Sequence, residues 1–201
     1  MKTKRTLFGS LIVIVTLITL IGCGPAGSPT DVSGSQESPA PAATSTDSSD
    51  DATAKEEADS PFTADGVLEI RMEMRGNRNV NDPVGVHIEP GTTVRFINAS
   101  GMHSATAYHP DNGRDPRIPS GAESWDTGLM SGRNQTFEVT LTEEGVYDYF
   151  CIPHETVGHV GRIVVGNPEA HPALPTDGLP QAAADALPSV EQIMADGVVR
   201  P

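Results

Sequence analysis

Residues 147–165 read YDYFCIPHETVGHVGRIVV. Tyr147, Tyr149 and Cys151 alternate with Asp148, the period of a strand with one face turned inward. Cys151, His154 and His159 then fall within nine residues, and the run Val160–Val165 leads away as a second strand. Thiolate and imidazole side by side suit copper or zinc. Pro153, just before His154, removes an N–H and stiffens the loop, which helps hold a ligand geometry fixed. A zinc-protease helix is excluded, because His154 and His159 lie five positions apart rather than four and point to different helix faces.

The rest of residues 62–167 reads as scaffold for this loop. Leu68, Ile70, Met72 and Met74 alternate with Glu69, Arg71 and Glu73. Val84, Val86 and Ile88 do the same, placing His87 outside. Pro90-Gly91 makes a turn into a strand carrying Val94 and Phe96, and Phe137, Val139 and Leu141 mark another before a turn at Glu144-Gly145. Short strands, frequent turns and no helical period predict an all-β, antiparallel Greek-key sandwich of about seven or eight strands. The irregular segment 110–132 holds the one tryptophan, Trp125, expected to plug the core beneath a loop made locally basic by Arg114 and Arg117.

Two loop ligands do not close a shell. Gly101-Met102-His103-Ser104 follows the Val94–Ile97 strand, and in a Greek key that turn reaches the same end of the sandwich as Cys151, so His103 is the best third ligand. His109 is a weaker alternative that reads more simply as a strand-end residue; His87 and His171 read as exposed.

With the ligands in place, the chain resembles the blue-copper proteins, or cupredoxins, in their plastocyanin–halocyanin branch. The resemblance covers about residues 66–166 and rests on EPGTTVRFIN, on the turn at Gly101–His103 and on YDYFCIPHETVGHVGRIVV. It implies one copper ion cycling between Cu(I) and Cu(II), with His103, Cys151 and His154 as equatorial ligands. It further implies a one-electron carrier working with redox proteins rather than an enzyme. His154 would be the electron's exit, ringed by an apolar docking patch of Met102, Ile152 and Pro153.

One position departs from the family. The weak axial methionine belongs five residues after the loop histidine, where this chain has His159. Coordination by His159 would favour Cu(II), lower the potential and pull the geometry towards tetragonal. If His159 stands aside, the position is open to water or a small ligand. The spacing of Cys151, His154 and His159 also resembles the red-copper type, in which a glutamate stands where His103 does here. The alternative function is therefore a copper enzyme or a site binding a small molecule such as nitric oxide. A copper-storage module would carry more Met or Cys.

The remaining sequence reads as address and tether. Lys2, Lys4 and Arg5 precede an apolar run of roughly 15 residues, shorter than a membrane-spanning helix needs. The run ends in Leu20-Ile21-Gly22-Cys23, which resembles the lipobox of bacterial-type lipoproteins. Residues 1–22 are thus expected to be a signal peptide and Cys23 the lipid attachment site. Residues 23–61, rich in Ser, Pro, Ala, Thr and acid, are expected to form a disordered linker with a span of about 30–35 Å. This implies an exported domain anchored at the outer or periplasmic face of a cell membrane. The formal charge of −14 argues against nucleic acid. The two cysteines, Cys23 and Cys151, do unrelated jobs, so no disulfide framework is expected. Residues 168–201 form a Pro- and Ala-rich tail with a short helix capped by Ser189, completed by Gln192 and stopped by Gly197, its small apolar face being Ile193 and Met194.

Overall fold

The computed structural model describes residues 60–201. The expected signal peptide, Cys23 and nearly all of the expected linker lie outside the described residues.

Alternation of apolar and polar side chains sets the first sheet. Strands β1 (Leu68–Arg75), β2 (Arg78–Asp82), β4 (Thr92–Asn98) and β6 (Gln135–Leu141) lie in the order β2-β1-β4-β6. The second sheet runs β5-β7-β8-β3-β9, from β3 (Gly85–Ile88), β5 (Thr106–Ala107), β7 (Gly145–Phe150), β8 (Val160–Val165) and β9 (Val198–Val199). Between the sheets, Leu68, Ile70, Met72, Val94, Phe96, Tyr147, Tyr149 and Ile163 form one core, closed by Trp125, which is buried as expected. Gly161 pairs with Tyr149 across β7 and β8. A Cβ there would sit 2.3 Å from the Tyr149 ring, so only glycine admits that phenol.

The all-β sandwich expected from the sequence is present, but it is not wholly antiparallel. β1 pairs with β4, and β3 with β8, in parallel. The chain crosses between sheets from β2 to β3 and back to β4, so strands entering a sheet after a crossover arrive in the same direction as their neighbours. Met74 also departs from the predicted inward face: it is 53% exposed, because β1 runs past the core towards the turn at Ser100, whose Oγ accepts the Met74 N–H at 2.9 Å.

The larger departure is on the outer face of β7, where alternation places Asp148 in solvent; in β8 the run Ile163-Val164-Val165 already reads as buried. Every residue of both strands is buried. The tail covers them with two helices rather than one, α1 (Gln181–Ala186) and α2 (Val190–Asp196). Ala183 packs with Phe150 and Val160, and Ile193 with Val146 and Val164. Burying the Ile193 side chain contributes about 1.5–3 kcal/mol. Ser189 caps α2 by accepting the Gln192 N–H at 3.1 Å and Gly197 ends it at φ 70°, whereas Met194 faces solvent. Beyond α2, β9 pairs antiparallel with β3.

Asp148 is consequently buried, not solvated. It faces Arg162 across the β7–β8 ladder, Nε to Oδ1 at 2.7 Å and Nη2 to Oδ2 at 3.0 Å, and it receives Arg117 Nε at 3.0 Å. The remaining guanidinium nitrogens donate to tail carbonyls: Arg117 to Leu174 and Pro175, Arg162 to Pro188. The local basic character of segment 110–132 is thus spent internally, since Arg114 pairs with Glu155 at 2.7 Å.

Candidate metal centre

The two ligand-bearing segments meet at one end of the sandwich. His103 leaves the sheet after β4 and forms an antiparallel bridge with Met130, N–H to O at 3.1 and 2.8 Å. Gly101 turns the chain just before it at φ 88°, and a Cβ there would lie 2.8 Å from His103 Nε2, so the turn needs glycine on two counts. Asn98 pins the same turn by donating to the carbonyls of Gly101 and Gly132.

The Cys151–His159 loop is laced by its own main chain. Cys151 N–H donates to His159 O at 2.9 Å, His154 N–H to Cys151 O at 3.0 Å, and His159 N–H to His154 O at 3.1 Å. A single 3-10 turn, Glu155–Val157, fills the interior. Glu155, buried, accepts from Tyr108 at 3.0 Å and from Arg114, which tethers the loop to segment 108–114.

One donor atom from each of His103, Cys151, His154 and His159 lies within 4.8 Å of every other. His103 Nδ1 and His154 Nδ1 are 3.3 Å apart, and Cys151 Sγ is 3.4 Å from His154 Nδ1 and 3.9 Å from His103 Nδ1. A tetrahedral shell with metal–N and metal–S bonds of about 2.0–2.3 Å has donor separations of about 3.3–3.8 Å, so the atoms of His103, Cys151 and His154 are spaced close to what one small ion needs. His159 adds a fourth donor. Its Nε2 is bonded to Asn81 Oδ1 at 2.9 Å, while its Nδ1 is fully buried with no hydrogen-bond partner. A buried nitrogen lone pair left unpaired costs about 1–3 kcal/mol, and a metal ion would remove that cost.

The electrostatics favour ligation. Burial, reinforced by the other two imidazoles, pushes His159 down to about 3. Burial also lowers His103, with His154 adding to the effect and the Ser100 main chain opposing it. Both rings are therefore neutral at physiological pH, the form that binds metal. Burial pushes the Cys151 thiol up, while N–H groups of Ser104 and His154 pull it back; a bound cation would deprotonate it outright.

The other histidines stand apart. His109 caps the 3-10 turn Pro110–Asn112 by accepting the Asp111 N–H. His87 and His171 are half-buried rather than exposed, because they hydrogen-bond to Gly166 O and to Ser120 Oγ respectively. Sequence reasoning missed two residues. Ser104 donates its N–H to Cys151 Sγ at 3.3 Å and accepts the Ile152 N–H on Oγ at 2.8 Å, joining the two ligand segments. Its position next to His103 was the available signal. Asn81 had none, for it arrives from a strand remote in sequence.

Three of the four candidate ligands are buried and His154 is half-buried. Around it the surface is apolar: Met102 and Ile152 are 48% and 46% exposed, and Pro153 is exposed too. Met74, beside the Gly101 turn, Leu129, next to the Met130 that pairs with His103, and Val157, inside the loop, are exposed as well, so five of the eight exposed large apolar side chains among the described residues lie on or next to the ligand-bearing segments.

Comparison with known proteins agrees with this geometry. The model of copper-binding proteins of the plastocyanin/azurin family matches residues 68–166. A pseudoazurin of Paracoccus pantotrophus is 30% identical over 122 residues, covering 59% of this chain and 77% of that protein. The plastocyanin of Sambucus nigra is 30% identical over 88 residues, 41% of this chain and 84% of its own length. The chloroplastic plastocyanin minor isoform of Arabidopsis thaliana is 34% identical over 83 residues, but the match spans only 46% of that protein. In fold, the crystal structure of pseudoazurin from Methylobacterium extorquens AM1 superposes with a TM-score of 0.50 at 23% identity, covering 64% of this chain and 96% of that one. The chain belongs to the plastocyanin/azurin family of copper-binding proteins, the cupredoxins, whose members bind one copper ion.

Proposed function

We propose that the protein is a membrane-tethered one-electron carrier whose copper is held by His103, Cys151, His154 and His159. The observation that carries this reading is the closed donor set: four converging atoms, three of their residues buried, and no polar residue other than the ligands needed to fill the shell. When bound, copper supplies a Cu(I)/Cu(II) couple. The chain's part is to keep the ligand atoms still. The main-chain lacing of residues 151–159 and the Ser104 bridge restrict the movement that a change of charge would otherwise drive. His154 is the one candidate ligand that reaches the surface, and the apolar rim of Met102, Ile152 and Pro153 supports docking of a redox protein there. A nitrogen donor from His159 in place of a thioether favours Cu(II) and a lower potential.

The sequence supports the rest. Residues 1–22 act as an export signal, Cys23 carries the lipid, and the linker to residue 61 tethers domain 62–167 at the outer or periplasmic membrane face, with the tail 168–201 packed against it. Replacing Cys23 with Ala should move the protein from the membrane to the soluble fraction.

The functional test is optical and EPR spectroscopy of the copper-loaded protein with electrochemistry. Reversible one-electron cycling, with no change on adding azide or nitric oxide, supports the carrier. Binding of either molecule at the metal would favour the enzyme or sensor reading instead.

A further inference from the structure

Asn81 sits on β2, in the sheet opposite the one that carries the ligand loop, and is 2% exposed. A primary amide in that setting must use both of its halves or incur the cost of burial. Here the two halves have different partners. Nδ2 donates to the carbonyl of Val160 at 2.9 Å, and Oδ1 lies 2.9 Å from His159 Nε2. The Val160 carbonyl can only accept, so it must face the NH2 group, and the amide oxygen must face the imidazole. That oxygen can only accept in turn, so Nε2 must carry the proton. Nδ1 is left as a bare lone pair, buried and unpartnered, and, with Nε2 taken up by Asn81, it is the ring nitrogen His159 has left to offer the cluster. Turning the amide over would set oxygen against oxygen at Val160 and NH2 against Nε2. The ring proton would then move to Nδ1 and point into the metal site, where it would block ligation.

We propose that Asn81 is a positioning residue that selects the Nε2–H tautomer of His159 and thereby presents Nδ1 to the copper. The selection is a relay from Val160 O through the Asn81 amide to His159, so the residue following the ligand helps set the ligand's own protonation site. The inference rests on His159 being a ligand, as proposed above, and adds a residue that nothing in the loop motif contains.

The test uses the full-length chain labelled with 15N-histidine. Long-range 1H–15N NMR of the metal-free protein reads the His159 tautomer directly, and copper hyperfine coupling in EPR reads the loaded site. The wild type should show Nε2–H; finding Nδ1–H would overturn the proposal without any variant. Asn81→Leu, close in volume but unable to accept, should shift the tautomer ratio by about tenfold, the worth of one buried hydrogen bond, and alter the hyperfine coupling. Asn81→Asp keeps an acceptor for Nε2–H and should stay within about twofold of wild type. An unchanged tautomer in Asn81→Leu overturns the proposal. So does an equal spectral change from Asn81→Leu in a His159→Met background, since that is what a merely structural role would give. A shifted tautomer with an unchanged copper spectrum would uphold the selection by Asn81 but remove His159 from the ligand set, and the failure would belong to the function proposed above.

Discussion

Two polar clusters are buried in this sandwich, and they are built on opposite terms. Around Asp148, every carboxylate oxygen and guanidinium nitrogen has a partner, supplied by one another and by three tail carbonyls. Around Cys151, nitrogen and sulfur atoms face each other, and the His159 lone pair is left over. Folding alone accounts for the first arrangement, which fastens the tail to β7 and β8. It does not account for the second, because burying unpaired acceptors is unfavourable. A cluster whose polar atoms all have partners is finished; one with converging spare lone pairs is waiting for a cation.

The contrast can be broken most decisively by exchanging the two phenotypes. Cys151→Ser should abolish the thiolate-to-copper absorption completely while changing the stability of the metal-free protein by only about 1 kcal/mol. Retention of that absorption would remove Cys151 from the site. Asp148→Ala should do the reverse. It leaves two buried guanidinium groups without their counter-ion and should cost about 3–5 kcal/mol in denaturant unfolding, with the copper spectrum of the folded fraction intact. If Asp148→Ala bleached the site instead, the two clusters would not be independent.

Copper itself should separate them next. At free metal a thousandfold above Kd, stability should rise by about 4 kcal/mol, in the wild type and in Asp148→Ala alike. A smaller effect belongs to acid. His159 titrates at about 3 in the fold and His103 is also held below its usual range, whereas both take up protons near 6.5 in the unfolded chain. The unfolded state thus binds more protons between these limits. Stability of the metal-free protein should be level above about pH 6.5 and fall as pH drops towards 3, by up to about 1.4 kcal/mol per unit from His159, with His103 adding to the slope below its usual range. A flat profile over that range would argue that these imidazoles are not buried neutral. The finest distinction is His159→Met, which should raise the reduction potential by about 59 mV for each tenfold loss of preference for Cu(II).

The candidate site was more legible in the sequence than the scaffold around it, in that the four residues singled out there are brought together in the fold. Cys151, His154 and His159 were legible because a ligand loop is local, and His103 because a turn after a strand has a predictable end of the sandwich to occupy. The burial of Asp148 was not legible. Period two on β7 announces one wet face, and nothing near Asp148 tells of helices contributed by residues 181–196. Asn81 was hidden for the same reason: its role depends on a contact between sheets, with β8 far away in the chain. Met74 misled because alternation continues past the point where the core stops.

β9 is only two residues long, yet it is what β3 has on its outer side, holding it through the Val84 N–H to Val199 O and His87 N–H to Gly197 O bonds. Contacts so distant in sequence form late, after the loop-closure entropy of the intervening chain has been overcome. In the interval β3 is an open edge offering a ladder of free donors and acceptors to any passing strand. The tail thus guards a sheet edge as well as covering a face. Crowding many copies together before their tails have docked would favour strand exchange between neighbours over closure of each chain on itself.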